Sequence, residues 1–374
     1  MKEKLTIVLC TILIFLTGCG ATEPVGSSEV LPVLDEPESI EGLVTETEVE
    51  CASRNEKERF LEPRGTFFHD GWIFYNGSKE IRKCKPDLTE DTLVFSGGRL
   101  QSLNQDGIAT MTVYPGESRK PGEEEVHILN VHSGIAEKID TLDTEKMSHQ
   151  MLYKEHLIVV QGIVIEGHGA ASQLDMYDIK GDFIKTIAPN VNSSYFAAID
   201  NYIYYLPMCG DEEMTIPANT IMRYDIVNDK TEEVLMFDLK IFYESPDETI
   251  YVWPGVLFNG RTITIRVGLD NFIYTSVDEI DPKEIVFDGI GRDDFFELIP
   301  SFDDDIFLMQ QQHDEEKPID ESFLFSAFFR IDKDKNEAVL LQKSDMRSGV
   351  FFYDGFRYYM ETNESTRLKR EKFY

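Results

Sequence analysis

Seven short segments of one kind recur along the chain. They read "FFHDGWIFYNG" from Phe67, "LNQDGIATMTVYPG" from Leu103, "YKEHLIVVQG" from Tyr153, "AAIDNYIYYLP" from Ala197, "LFNGRTITIRVG" from Leu257, "SFDDDIFLMQQ" from Ser301 and "FFYDGFRYYME" from Phe351. Each joins an apolar run to a second apolar run through a polar pair of the kind that closes a tight hairpin. The pairs fall near residues 70, 106, 155, 200, 259, 304 and 354, at intervals of 36, 49, 45, 59, 45 and 50 residues. Four strands of six to eight residues with their turns need about 40 to 50 residues, the length of one propeller blade. The expectation is an all-β chain folded as a single β-propeller of four-stranded blades. Seven blades follow from the count; six is the alternative, because the first interval is short and the fourth is long.

The fourth unit shows the order within a blade: a short strand before Asp200-Asn201, then "YIYYLP", then "NTIMRYDIVND", then "TEEVLMFD". "YIYY" is apolar throughout, as a strand covered on both faces should be. In "IMRYDI" the alternation sets Ile221, Arg223 and Asp225 against Met222, Tyr224 and Ile226, which reads as a more edge-like third strand. Similar third and fourth strands occur as "EVHILNVHSGIAEKI", "QLDMYDIKGDFIKTI" and "FLFSAFFRIDKDKNEAVLL". The seventh unit ends one strand short, at Tyr374. The alternating acidic segment "LVTETEVE", Leu43 to Glu50, is therefore expected to close the ring against the basic "RLKREKFY", since cross-strand charge pairs favour that pairing.

The pattern of an aromatic, an Asp-Gly turn, an Ile/Tyr-rich strand, a strand ending in Asp and a short Val/Leu strand resembles the TolB-like and low-density-lipoprotein-receptor-like β-propellers. It is also similar to bacterial lipoproteins that carry such domains. The resemblance covers residues 43–374. It implies architecture and carries over no ligand-binding residue, because the Tyr-Trp-Thr-Asp signature of receptor-type blades is absent.

Upstream of that domain the chain opens with Met1-Lys2-Glu3-Lys4 and an apolar run from Leu5 to Leu16. A spanning helix needs about 20 apolar residues, so this run reads as a signal-peptide core and not as an anchor. Leu16-Thr17-Gly18-Cys19 resembles the lipobox of bacterial lipoproteins. The resemblance implies cleavage before Cys19, a diacylglycerol on its sulfur and palmitate-type acylation, which together hold a protein stably on a membrane. Residues 1–18 are then the lipoprotein signal peptide. Residues 19–42 are the acylated cysteine and an acidic, Pro-containing flexible linker spanning on the order of 25 Å. The expected location is the outer face of the bacterial cytoplasmic membrane, or the periplasm or outer membrane of a Gram-negative source.

Composition narrows the partners. The chain carries 36 Lys and Arg against 69 Asp and Glu, a formal charge of −33. Nucleic acid is disfavoured as a partner, since it requires a positive footprint. Five cysteines stand at 10, 19, 51, 84 and 209; Cys10 and Cys19 are accounted for upstream. Cys51, Cys84 and Cys209 allow at most one disulfide, and without any C-x-x-C they support neither a redox motif nor a thiolate zinc site.

The sequence holds no recognisable catalytic or metal-ligating constellation and no cofactor motif. "DKDKNE" places Asp332, Asp334 and Asn336 at the spacing of calcium ligands, but Glu337 and Lys343 stand where an EF-hand needs Gly and Glu, so it reads as a turn. Gly116-Glu117-Ser118 lacks the nucleophile elbow's final glycine. His127 and His132 are five apart on an expected strand and face opposite ways, and His156 and His168 are separated by a strand. The aromatic residues, 11% of the chain, read mainly as blade-stacking core.

The expected function is a membrane-tethered extracytoplasmic binding or scaffold module for a protein, peptide or glycan. The acidic insertion 208–219, "MCGDEEMTIPAN", is its candidate loop. The alternatives are an accessory or sensory subunit of an envelope transport or signalling system, and a propeller-type glycan lyase or hydrolase.

Overall fold

The computed structural model describes residues 49–50, 65–77, 80–114, 124–140, 142, 147–165, 169–209, 217–244, 249–269, 271–287, 296–302, 304–313, 323–344, 350–362 and 366–373. Cys19, the linker, Leu43 to Glu48, Cys51 and His168 lie outside these residues.

Among the described residues all regular structure is β, and it forms seven four-stranded antiparallel sheets and one two-stranded sheet. The chain begins with β1 (Val49–Glu50). Blade 1 is β2 (Phe67–His69), β3 (Trp72–Asn76), β4 (Glu80–Cys84) and β5 (Thr92–Ser96). Blade 2 is β6 (Gly98–Leu103), β7 (Ile108–Val113), β8 (Glu125–Asn130) and β9 (Ala136–Ile139). Blade 3 is β10 (Met147–Tyr153), β11 (His156–Ile165), β12 (Gly169–Asp178) and β13 (Phe183–Ala188). Blade 4 is β14 (Val191–Ile199), β15 (Tyr202–Pro207), β16 (Thr220–Asp225) and β17 (Lys230–Met236). A short hairpin, β18 (Ile241–Glu244) and β19 (Thr249–Tyr251), precedes blade 5, which is β20 (Gly255–Asn259), β21 (Thr262–Arg266), β22 (Phe272–Ser276) and β23 (Lys283–Glu284). Blade 6 is β24 (Phe296–Ile299), β25 (Phe307–His313), β26 (Phe323–Asp332) and β27 (Glu337–Ser344), and blade 7 holds β28 (Val350–Tyr353), β29 (Phe356–Thr362) and β30 (Thr366–Lys372). Each blade is a meander, and the blades form a β-propeller.

Every recurring polar pair sits between the first and second strands of its blade. Asp70-Gly71 and Asp354-Gly355 have φ of 49° and 74°, and 49° and 76°. Two consecutive positive φ values define the type I′ turn that matches strand twist, which is why Asp-Gly marks these positions so clearly. The hairpin β18–β19 accounts for the long fourth interval: it adds residues between blades 4 and 5 without adding a blade.

The expected covering of the second strand holds. In β15, Ile203 and Tyr205 pack toward blade 3, while Tyr204 and Leu206 pack toward blade 5, all at 4% exposure or less. The edge-like reading of the third strand is corrected. β16 pairs on both sides, with β15 and β17, while the alternation itself holds: Met222, Tyr224 and Ile226 pack toward blade 3 and Ile221 packs toward blade 5. Both faces of β16 are covered by neighbouring blades, so Ile221 and Tyr224, on opposite faces, are both buried. The exposed edge is the fourth strand, as in β5 and β17.

The core is a set of layers between blades, and seven clusters of buried side chains account for seven interfaces. The cluster that closes the ring joins Ile73, Tyr75 and Cys84 of blade 1 to Phe351, Tyr358 and Leu368 of blade 7. Each such aliphatic or aromatic side chain contributes about 1.5–3 kcal/mol through burial, so stability is spread around the ring. Cys84, fully buried here, acts as a small hydrophobe. The aromatic residues stack as expected; Phe307 and Phe352 lie 4.1 Å apart at 17° across the interface of blades 6 and 7.

The closing strand is present. β1 pairs with β30, with Val49 opposite Leu368 and Glu50 opposite Arg367. Blade 7 therefore takes its fourth strand from the N-terminal side of the domain.

Candidate functional site

The meander places all turns between first and second strands, and between third and fourth strands, at one end of the ring. That end is stitched from blade to blade. The Arg261 guanidinium spans Asp200 of the blade 4 turn, at 2.8 and 3.1 Å, and Asp278 of blade 5, with Nε 2.6 Å from Oδ2. Both carboxyls are held below the usual carboxylate range by these hydrogen bonds. Arg261 N–H also donates to Asp304 Oδ1 of blade 6, 2.9 Å away. Lys154 donates to Asn201, tying blade 3 to blade 4.

Between blades 1 and 2 the face is different. A cleft of about 540 Å³ opens there, lined by Phe68, His69, Asp70, Gln105, Asp106 and His132. These come from the end of β2 and its turn into β3, and from the β6–β7 and β8–β9 turns. Phe68 continues into an aromatic group near the ring axis, with its ring 4.3 Å from Tyr353 and 6.3 Å from Phe302. The opposite wall is polar. His69 Nε2 and His132 Nε2 lie 3.4 Å apart. Among the described residues no cation pairs with the carboxylates of Asp70 or Asp106, in contrast to Asp200 and Asp278.

The loops around the cleft are fixed by their own side chains. Asn104 Oδ1 accepts from the N–H groups of Asp106 and Ile108, each at 2.9 Å. Asn130 Oδ1 accepts from the N–H groups of His132 and Ser133, each at 3.0 Å. Asn favours such local turns because its short amide satisfies backbone donors two to four residues on.

The residues singled out from sequence are distributed elsewhere. Asp332, Asp334 and Asn336 form the β26–β27 turn, where Asp332 Oδ1 accepts from Asp334 N–H at 3.0 Å and Asn336 Oδ1 accepts from the Tyr274 hydroxyl at 2.6 Å. His127 bonds Glu125 at 3.1 Å and stays apart from His132. Gly116-Glu117-Ser118 and residues 210–216 lie outside the described residues. The base of the 208–219 loop, where Cys209 bridges Pro217, joins the ends of β15 and β16 remote from the Asp200-Asn201 turn, so it belongs to the face opposite the cleft. The pair His69 and His132 was missed because 63 positions separate them. The available signal was positional: His69 borders a first-to-second-strand turn and His132 a third-to-fourth-strand turn of the next unit, and such turns share one face.

No protein-family model matches the chain, and none of the curated proteins does. Solved structures do resemble it. An acylaminoacyl peptidase in complex with Z-Gly-Gly-Phe-chloromethyl ketone matches at a TM-score of 0.51 and 10% identity, over 82% of this chain and 50% of that one. The β-propeller domain of the Trilobed protease from Pyrococcus furiosus, whose topology is an open velcro, matches at 0.50 and 12%, over 82% and 91%. The acylaminoacyl peptidase of Pyrococcus horikoshii matches at 0.50 and 10%, over 79% and 48%. At these identities the likeness is one of fold, and the chain spans about half of either acylaminoacyl peptidase.

Proposed function

We propose that the protein is a lipid-anchored, extracytoplasmic binding module that holds a protein or peptide partner against the face carrying the first-to-second-strand turns. The observation that carries this reading is the cleft between blades 1 and 2. It combines an aromatic wall at Phe68 with two carboxylates, Asp70 and Asp106, that no cation neutralises among the described residues. A groove that is apolar on one side and holds a few fixed polar groups on the other is the usual form of a recognition site. Its charge suits a partner presenting Lys or Arg, and electrostatic complementarity of that kind sets partner choice and association rate.

The tether rests on sequence: the lipobox-like Leu16 to Cys19, the acidic linker to residue 42, and a domain whose motifs resemble TolB-like propellers. A lipid-held domain from so acidic a chain, of formal charge −33 over its full sequence, is repelled by an anionic leaflet and stands away from it at the length of its linker. Cys19→Ala is expected to abolish incorporation of labelled palmitate and to leave the signal segment uncleaved. Labelling equal to that of the native chain would show that Cys19 is not the acylated residue.

The binding half is tested by charge reversal. Capture from native membranes is expected to recover a defined partner with the native chain and to lose it with Asp70→Lys/Asp106→Lys. Undiminished recovery by the double variant would place the interaction elsewhere on the protein.

A further inference from the structure

The two imidazoles in the cleft stand at a separation that a hydrogen bond explains poorly. Their Nε2 atoms are 3.4 Å apart, beyond the range of about 2.7–3.2 Å usual for a bond donated by N–H. The same separation suits two nitrogens on one tetrahedral ion. Metal–nitrogen bonds of about 2.0–2.1 Å at the tetrahedral angle set their nitrogens about 3.3–3.4 Å apart.

The surrounding backbone is arranged to allow this approach. Gly107, at φ 72°, lies against the pair: a Cβ there would run into His132 Nε2 and stand 2.7 Å from His132 Cδ2 and 3.1 Å from His69 Nε2. Its carbonyl accepts from Val131 N–H at 3.0 Å, which locks the blade 2 turns together beside His132. The Asn104 and Asn130 turns hold the flanking residues. His69 in turn is fixed at the end of β2, opposite Trp72, with its ring 6.4 Å from that of Phe74.

We propose that His69 and His132 form a two-imidazole site for a divalent transition cation of the zinc class. Asp70 and Asp106 line the same cleft and supply the negative potential that draws a cation in. Among the described residues no three His, Cys, Asp or Glu side chains are placed to hold a metal ion together. The chain thus contributes two donors, and the remaining positions are open to water or to a donor atom of a bound molecule. Imidazole nitrogens select zinc-class ions over calcium and magnesium, which take oxygen ligands. The inference goes beyond the proposed partner binding and does not require it, because cation binding is measured on the chain alone.

The test uses the full chain in detergent, titrated with Zn2+ and with Co2+ as a spectroscopic probe, in the presence of excess Mg2+ to occupy the acidic surface. One equivalent of Zn2+ is expected to bind, and Co2+ is expected to give the visible bands of nitrogen ligation. His69→Ala and His132→Ala are each expected to weaken binding at least about 100-fold, since even loss of a partner one shell out costs up to that much. His127→Ala, in the same blade but paired with Glu125, should bind as the native chain does. Gly107→Ala should also lose the site while both imidazoles remain. Far-ultraviolet circular dichroism and melting identify any variant that fails to fold; for such a variant the corresponding His→Gln chain replaces it. Native-like affinity in folded His69 and His132 variants, or no stoichiometric Zn2+ binding by the native chain, would overturn the proposal and leave the pair as an imidazole contact only.

Discussion

Deleting residues 20–50 is expected to lower the melting temperature by roughly 5–10 °C or to cause aggregation, whereas deleting residues 20–42 leaves it nearly unchanged. The difference lies in β1. β30 pairs with β29 along its length, from Lys372 opposite Phe356 to Thr366 opposite Thr362. Its other edge is covered by Val49 and Glu50. In the other six blades the fourth strand is the next in sequence; in blade 7 it comes from before blade 1. Removing it leaves the β30 backbone groups open to pairing with another molecule. It also uncovers the neighbourhood of Leu368, which is fully buried in the cluster joining blades 7 and 1. The ring closes through that cluster, so damage there reaches both ends of the domain. Differential scanning calorimetry of the two truncations decides it: equal melting and equal solubility would mean that the ring is sealed without residues 43–50.

The second large effect is expected at Arg357. Its side chain, 3% exposed, forms an ion pair with Glu371, 9% exposed, directly across the β29–β30 ladder. The guanidinium also lies over the rings of Phe328 and Phe373, 5.2 and 4.9 Å from their centroids. The pair is thus sealed into the interface between blades 6 and 7. Removing one member of a buried pair leaves the other charge without its partner, and Arg357→Ala is expected to cost about 3–5 kcal/mol. The double replacement Arg357→Met/Glu371→Leu keeps the volume, removes both desolvation penalties and is expected to be close to neutral. Urea denaturation of the two variants separates the cases. If the double variant is as unstable as the single one, packing of the guanidinium on the aromatic rings, and not the charge, is what blade 7 requires.

The architecture was legible in the sequence wherever a local rule fixes a global feature. Asp70-Gly71 and Asp354-Gly355 announce hairpins because few residues tolerate two successive positive φ values. The spacing of seven such turns then counts the blades. Ring closure could be read because the seventh unit ends a strand short and an unassigned strand-like segment precedes the first. The third strand was misread because its polar residues suggested an exposed edge; Arg223 and Asp225 instead bond locally, to Glu232 and to the N–H groups of Val227 and Asn228, in a strand paired on both sides. The cleft was invisible for another reason. His69 and His132 each look ordinary in their own turns and acquire meaning only when blade 2 is set beside blade 1. Likewise nothing local distinguishes Asp70 and Asp106 from Asp200 and Asp278; only the placement of Arg261 does.

On the proposed function, the face bearing the cleft engages a partner and the opposite face does not. The direct measurement is photocrosslinking in intact cells, with a benzophenone side chain replacing Gln105 in the cleft or Asp238, which follows β17 at the other end of the ring. Both positions are exposed. A discrete crosslinked species from position 105, absent from position 238 and lost on adding Asp70→Lys/Asp106→Lys, is the predicted result. Crosslinks from position 238 alone, or none from position 105, would contradict it.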